Sequence, residues 1–201
     1  MPDSGLNRRD ALRRIAAGGM GVVTSALWVE NLSALAQVRA EHVHTALVTA
    51  QAAGAWAPKV LSAHQHQTVA ALVELIIPQT DTPGASAALV DRFIDTLLDG
   101  AERLDRDRFL SGLAWLDARS QALYRNDFGS ASPAQQADLL TRLSAGASTE
   151  APAGVEFFTA VKSMTITGYY TSEIGLRDEL GDNGQLYLPA FEGCTHPEHQ
   201  R

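Results

Sequence analysis

Residues whose types could do chemistry are few in this chain, and their spacing is mostly wrong for it. Cys194-x-His196-x-x-His199 offers a thiolate and two imidazoles, a donor set that suits copper or zinc. It supplies three donors with no second cluster to complete a site. The other histidines fall in pairs two residues apart, His42-x-His44 and His64-x-His66. On a helix such pairs diverge by about 200°, so they face together only in an extended segment; they read as solvated residues near helix starts. Asp91, Asp95 and Asp99 recur at i, i+4, i+8 beside Glu102. With no base–nucleophile pair at any recognisable spacing, they read as a solvent-facing stripe. No G-x-G-x-x-G follows a strand, since Gly18, Gly19 and Gly21 lie in the N-terminal run. A P-loop, G-x-S-x-G, C-x-x-C and C-x-x-C-H are all missing, and one cysteine cannot hold an iron–sulfur cluster. The expectation is a chain with no catalytic, cofactor-binding or metal site of its own. The alternative is a self-contained metal-binding protein or enzyme built on Cys194, His196 and His199.

The start of the chain carries a different chemistry. Arg8 and Arg9 stand in Asn7-Arg8-Arg9-Asp10-Ala11-Leu12-Arg13, ahead of the uncharged run Ile15–Trp28 and the small-x-small sequence Ala34-Leu35-Ala36. A charged head, a short apolar stretch and an A-x-A site describe a secretory signal. The run is shorter than the roughly 20 residues a membrane-spanning helix needs. The paired arginines predict twin-arginine export, with residues 1–36 as signal and cleavage between Ala36 and Gln37. The expected location is the periplasm and the expected first partner the twin-arginine translocase. That route carries proteins already folded, commonly because a cofactor was acquired in the cytoplasm.

Composition agrees with an exported globular protein. The chain has 201 residues, 45 % hydrophobic and 19 % charged, and about 165 remain after residue 36, one domain's worth. Net charge is −7, dispersed along the sequence, which argues against nucleic acid or anionic lipid as partners. A lone Cys194 excludes an internal disulfide and points to an intermolecular bridge or a free thiol.

The elements read as helices throughout. Residues 37–61 form an Ala-rich N-terminal arm or helix, and 62–201 a helical domain. Ser62 caps a helix with the stripe Val69, Leu72, Val73, Ile76, Ile77, closed by Pro78. Ser86 opens a second helix, ended by Gly100. A third spans about 104–124, and Ser132-Pro133-Ala134-Gln135 is a capping box with Pro at the first helical position. A fifth runs over 155–170, its β-branched Thr165-Ile166-Thr167 end dependent on packing; a short sixth covers 172–180. From about 181 Gly and Pro punctuate an extended tail. The fold class is all-α, an orthogonal bundle of about five to seven helices with an extended C-terminal tail.

The densest stretch is Thr167-Gly168-Tyr169-Tyr170-Thr171-Ser172-Glu173-Ile174-Gly175, continued by Leu186-Tyr187-Leu188-Pro189-Ala190-Phe191. Such aromatics, apolar in body and polar at the tip, suit a partner interface formed by Tyr169, Tyr170, Glu173, Tyr187 and Phe191. They equally suit a tail anchored on its own core.

The paired arginines, the Val69–Pro78 helix with Asp81-Thr82-Pro83-Gly84-Ala85 after it, Phe157-Phe158, the Tyr-Tyr-Thr-Ser-Glu-Ile-Gly run and the closing Pro189–Cys194 together resemble the gluconate 2-dehydrogenase subunit 3 family. The resemblance covers roughly Arg8 to Cys194 and departs from the pattern at Ala11 and in the His196–Arg201 end. It implies a non-catalytic small subunit of a periplasmic flavin-dependent sugar or sugar-acid dehydrogenase. The catalytic partner, of the glucose–methanol–choline type, would hold FAD and leave the cytoplasm bound to the small subunit. A cytochrome subunit with haem c often takes the electrons. Cys194 would then bridge to the partner, stay a thiol or bind metal.

Overall fold

The computed structural model describes residues 23–52, 56–146 and 149–184. Arg8, Arg9, Tyr187, Phe191, Cys194, His196 and His199 lie outside the described residues. The described chain is all helical: α1 (Val23–Ala52), α2 (Ala63–Ile76), α3 (Val90–Asp99), α4 (Arg103–Tyr124), α5 (Pro133–Ser144) and α6 (Pro152–Tyr170). A 3-10 turn, Phe128–Ser130, precedes α5, and a π-helical turn, Gly175–Glu179, follows α6. Among the described residues no helix is long and apolar enough to cross a membrane.

Helix α6 is the hub, because every other helix lies against it. Phe157, Ala160, Val161, Met164 and Tyr169 are buried along it, spaced for one face and its flank. Small residues set how closely its neighbours approach. A methyl on Gly112 of α4 would run into the Phe157 ring, and one on Gly154 into Trp115. Phe109 meets Phe157 edge-on at 5.3 Å, a favoured aromatic geometry. Thr165 is fully buried and its hydroxyl donates to the Val161 carbonyl at 2.8 Å, so packing holds the β-branched end of α6.

Helix α1 spans the boundary at which the sequence reading separated signal from arm. Trp28, Leu32, Ala36, Ala40, Val43 and Leu47 are all buried, at helical spacing across the whole length. No Gly or Pro falls between Val23 and Ala52, and Ala-rich sequence favours a continuous helix. The Ala36–Gln37 bond therefore sits mid-helix, with Ala36 fully buried. Trp28 and Leu32 are buried against the same body, and each contributes about 2 kcal/mol of apolar burial.

Two capping boxes fix the starts of α2 and α5. Ser62 Oγ accepts from the Gln65 amide while Gln65 Oε1 accepts from the Ser62 amide, and Ser132 with Gln135 repeats this behind Pro133. The second helix of the sequence reading starts later than Ser86. Residues 85–89 form a turn, and Leu89 at φ 57° brings the chain into α3 from the left-handed region.

The acidic stripe of α3 corrects the reading as a solvated face. Asp95 is fully buried and accepts three backbone N–H bonds, from Lys59 at 2.8 Å, Val60 at 3.1 Å and Leu61 at 2.9 Å. It thus fastens the linker between α1 and α2 to α3. Asp91, also buried, pairs with His66 at 2.7 Å, and only Asp99 stays half-exposed, with Lys59. A similar clamp holds the chain just ahead of α6, where buried Glu150 takes a two-pronged bond from Arg119 at 2.7 and 2.9 Å.

His64 Nε2 lies 2.7 Å from Asp117 Oδ2, whose other oxygen accepts from the Phe128 amide at 3.0 Å. The hydrogen bond and charge of Asp117 raise the His64 pKa above its ordinary 6.5. A raised folded-state pKa stabilises the fold fully below 6.5, and that stabilisation is lost as pH rises through the folded value. His44 has the opposite sign, since burial lowers its pKa. A difference measurement isolates His64: the stability gap between wild type and His64→Gln should narrow from pH 5 to pH 8 in urea titrations. The effect is small because the ring is half-exposed. A gap that widens with pH would contradict the pairing.

Candidate partner-docking face

The most distinctive sequence stretch turns out to be a structural lock. Tyr169 is buried, and its hydroxyl donates to the Pro83 carbonyl at 2.8 Å. Ser172 Oγ donates to the Tyr169 carbonyl at 2.6 Å and accepts from the Gly175 amide at 3.0 Å. That closes the C-terminal end of α6 and turns the chain into the π-helical turn. A side chain at Gly175 would run into the Tyr169 carbonyl, and one at Gly168 would come 2.7 Å from the Phe93 ring.

The 79–86 loop is cinched from the other side. Glu74 accepts from the Gln79 and Ser86 amides at 3.0 and 3.1 Å, and Gly84 leaves room for its carboxylate. Burial pushes the Glu74 pKa upward, but hydrogen bonds from the Gln79 amide and from the Ser86 side chain and amide together hold it below its ordinary value. Thr82 then bonds Glu179 at 2.6 Å. The two stretches singled out in the sequence, 79–86 and 167–175, are thus packed on each other.

This reassigns the expected interface residues. Tyr169 belongs to the core and offers a partner nothing while the lock holds. Tyr170 is partly exposed and meets Tyr169 edge-on at 5.2 Å, and Glu173 is exposed with Arg177 at 2.6 Å. Two of the three described candidates remain at the surface.

Beside them lies a feature the sequence reading did not single out. An open groove of about 590 Å³ is lined mainly by Leu75, Ile76, Leu140, Phe158 and Lys162, from α2, α5 and α6. Along α6, Phe158, Lys162, Ile166 and Tyr170 follow at steps of four, so the apolar groove continues as a strip on one side of the helix. Ile166 is 42 % and Tyr170 37 % exposed, high for large apolar groups on an otherwise core-forming helix. The signal was in the sequence. Phe158 and Ile166 fall off the stripe of Phe157, Val161 and Met164.

The described histidines do not gather. His42 is exposed, His44 stacks on Phe93 at 4.9 Å, and His64 and His66 each pair with a different aspartate. Among the described residues no three His, Cys, Asp or Glu are grouped to hold a metal ion. An open apolar groove with exposed Ile166 and Tyr170 beside it is the kind of surface that can seat another macromolecule.

No curated protein and no solved structure matches the chain significantly. The family model described as gluconate 2-dehydrogenase subunit 3 matches residues 63–189, more than half of the sequence, and includes both packed stretches and the groove. The chain belongs to the gluconate 2-dehydrogenase subunit 3 family.

Proposed function

We propose that this chain is the accessory subunit of a flavin-dependent sugar or sugar-acid dehydrogenase. It folds with the catalytic subunit, escorts it through twin-arginine export and stabilises it in the periplasm. FAD resides in the catalytic partner, of the glucose–methanol–choline type, and haem c in a cytochrome subunit where the complex has one. Membership of a family described as a dehydrogenase subunit carries this reading. The absence of any flavin-binding sequence motif in the chain supports a partner that does the oxidation.

The groove and the Phe158–Tyr170 strip are the proposed contact surface, mostly apolar, with Lys162 and Thr141 as polar groups within the lining. A partner helix or loop seated there would cover Leu75, Ile76, Leu140 and Ile166.

The test is a pull-down of the tagged full-length chain from cells that produce both subunits. Wild type should bring down a larger flavin-containing chain with dye-linked dehydrogenase activity. Phe158→Asp combined with Ile166→Asp should cut that recovery at least about tenfold, with the helical circular-dichroism signal retained. A wild-type chain that purifies alone with its own stoichiometric flavin or metal would refute the proposal.

A further inference from the structure

The N-terminal half of α1 precedes the expected cleavage site, yet it is part of the core. Trp28 is 3 % exposed, Leu32 1 % and Ala36 0 %. Three side-chain bonds tie this half to distant helices. Trp28 Nε1 donates to Glu156 Oε2 at 3.2 Å, Asn31 Nδ2 donates to Asp105 Oδ2 at 3.0 Å, and the Ser33 and Ser163 hydroxyls lie 2.7 Å apart. Asp105 is itself buried, so removing Asn31 would strip a partner from a buried carboxylate. The family match begins at residue 63, so the helix that covers α6 comes from outside the matched region.

A peptidase takes its substrate as locally unfolded, extended chain. The Ala36–Gln37 bond lies inside a helix of 30 residues with Ala36 facing the core. Reaching it requires stripping α1 from α6. Twin-arginine export would meet the chain after that packing has formed.

We propose that α1 is retained in the mature subunit: the helix from Val23 onward stays part of the fold, and Ala34-Leu35-Ala36 is not a processing site. The export step rests on the function proposed above, whereas retention of α1 does not. Any trimming of the exported chain then falls upstream of Trp28.

Two measurements on the full chain decide this. The first is the intact mass and N-terminal peptide of the protein recovered from producing cells. The expected N-terminus lies ahead of Trp28; an N-terminus at Gln37 overturns the proposal. The second uses Ala34→Arg, an exposed position on α1 where a long charged side chain fits the folded state but blocks small-x-small cleavage. The variant should show the wild-type processing pattern, shifted only by the substitution. Accumulation of a longer form in the variant overturns the proposal. If the chain is found whole and only in the cytoplasm, the export reading fails. Retention is then decided by chains beginning at Val23 and at Gln37, made without export: loss of a cooperative melt in the shorter one supports it, and equal melting temperatures overturn it.

Discussion

Asp95→Ala is expected to lower the unfolding free energy by about 4 kcal/mol. The carboxylate is fully buried and is the acceptor for three consecutive amides, those of Lys59, Val60 and Leu61. Truncation leaves these donors without that acceptor and opens a void beside Leu61. Domains of this size have about 5–15 kcal/mol to lose, so the variant should be close to unfolding at 37 °C. Asp95→Asn keeps the shape and one oxygen, and should cost about half as much. Urea denaturation of the three proteins in parallel is the measurement. A loss below about 1 kcal/mol for Asp95→Ala would mean that the linker is not held through this residue.

Gly175→Ala comes next, at about 3 kcal/mol, or close to 10 °C in melting temperature. The added methyl would run into the Tyr169 carbonyl and stand 3.0 Å from the Tyr170 Cα, both backbone atoms that cannot swing aside. Relief requires the turn after α6 to open, breaking the Ser172–Gly175 bond and loosening Tyr169 from Pro83. Tyr170 and Glu173 would shift with it, so partner recovery should fall along with stability. Gly181→Ala is the control. Gly181 has φ +67° but nothing within 4 Å of a new methyl, so only the left-handed backbone cost of about 1 kcal/mol applies. Equal losses at the two glycines would show that close packing at Gly175 is not what matters.

Much of the architecture was legible because it rests on local rules. Ser62 and Ser132 announced their helices through capping boxes that involve only four residues each. The apolar period of α2 located Val69, Leu72 and Val73 in the core. What stayed hidden depends on contacts far apart in sequence. Asp95 looks like its neighbour Asp99 on a helical wheel, and only the Lys59–Leu61 backbone distinguishes them. Tyr169 and Tyr170 are chemically identical, and a turn of about 100° sends one to Pro83 and the other to the surface. In α1, a targeting pattern and a helical period share the same residues. The pattern drew a boundary at Ala36 where the period continues unbroken to Leu47. The groove was missed for a related reason. Leu75, Leu140 and Phe158 satisfy the expectations for a core, and only the spacing of three helices leaves them open on one side.

The proposed role is to carry a flavoprotein dehydrogenase out of the cytoplasm. The most direct test is the compartment in which that dehydrogenase activity is found when Arg8 and Arg9 are both replaced by lysine in the full-length chain. In cells with the wild-type chain, dye-linked sugar dehydrogenase activity and its flavin should fractionate with the periplasm. With Arg8→Lys and Arg9→Lys both should remain in the cytoplasm, still co-purifying with this chain. Activity that reaches the periplasm undiminished in the double variant would contradict the account.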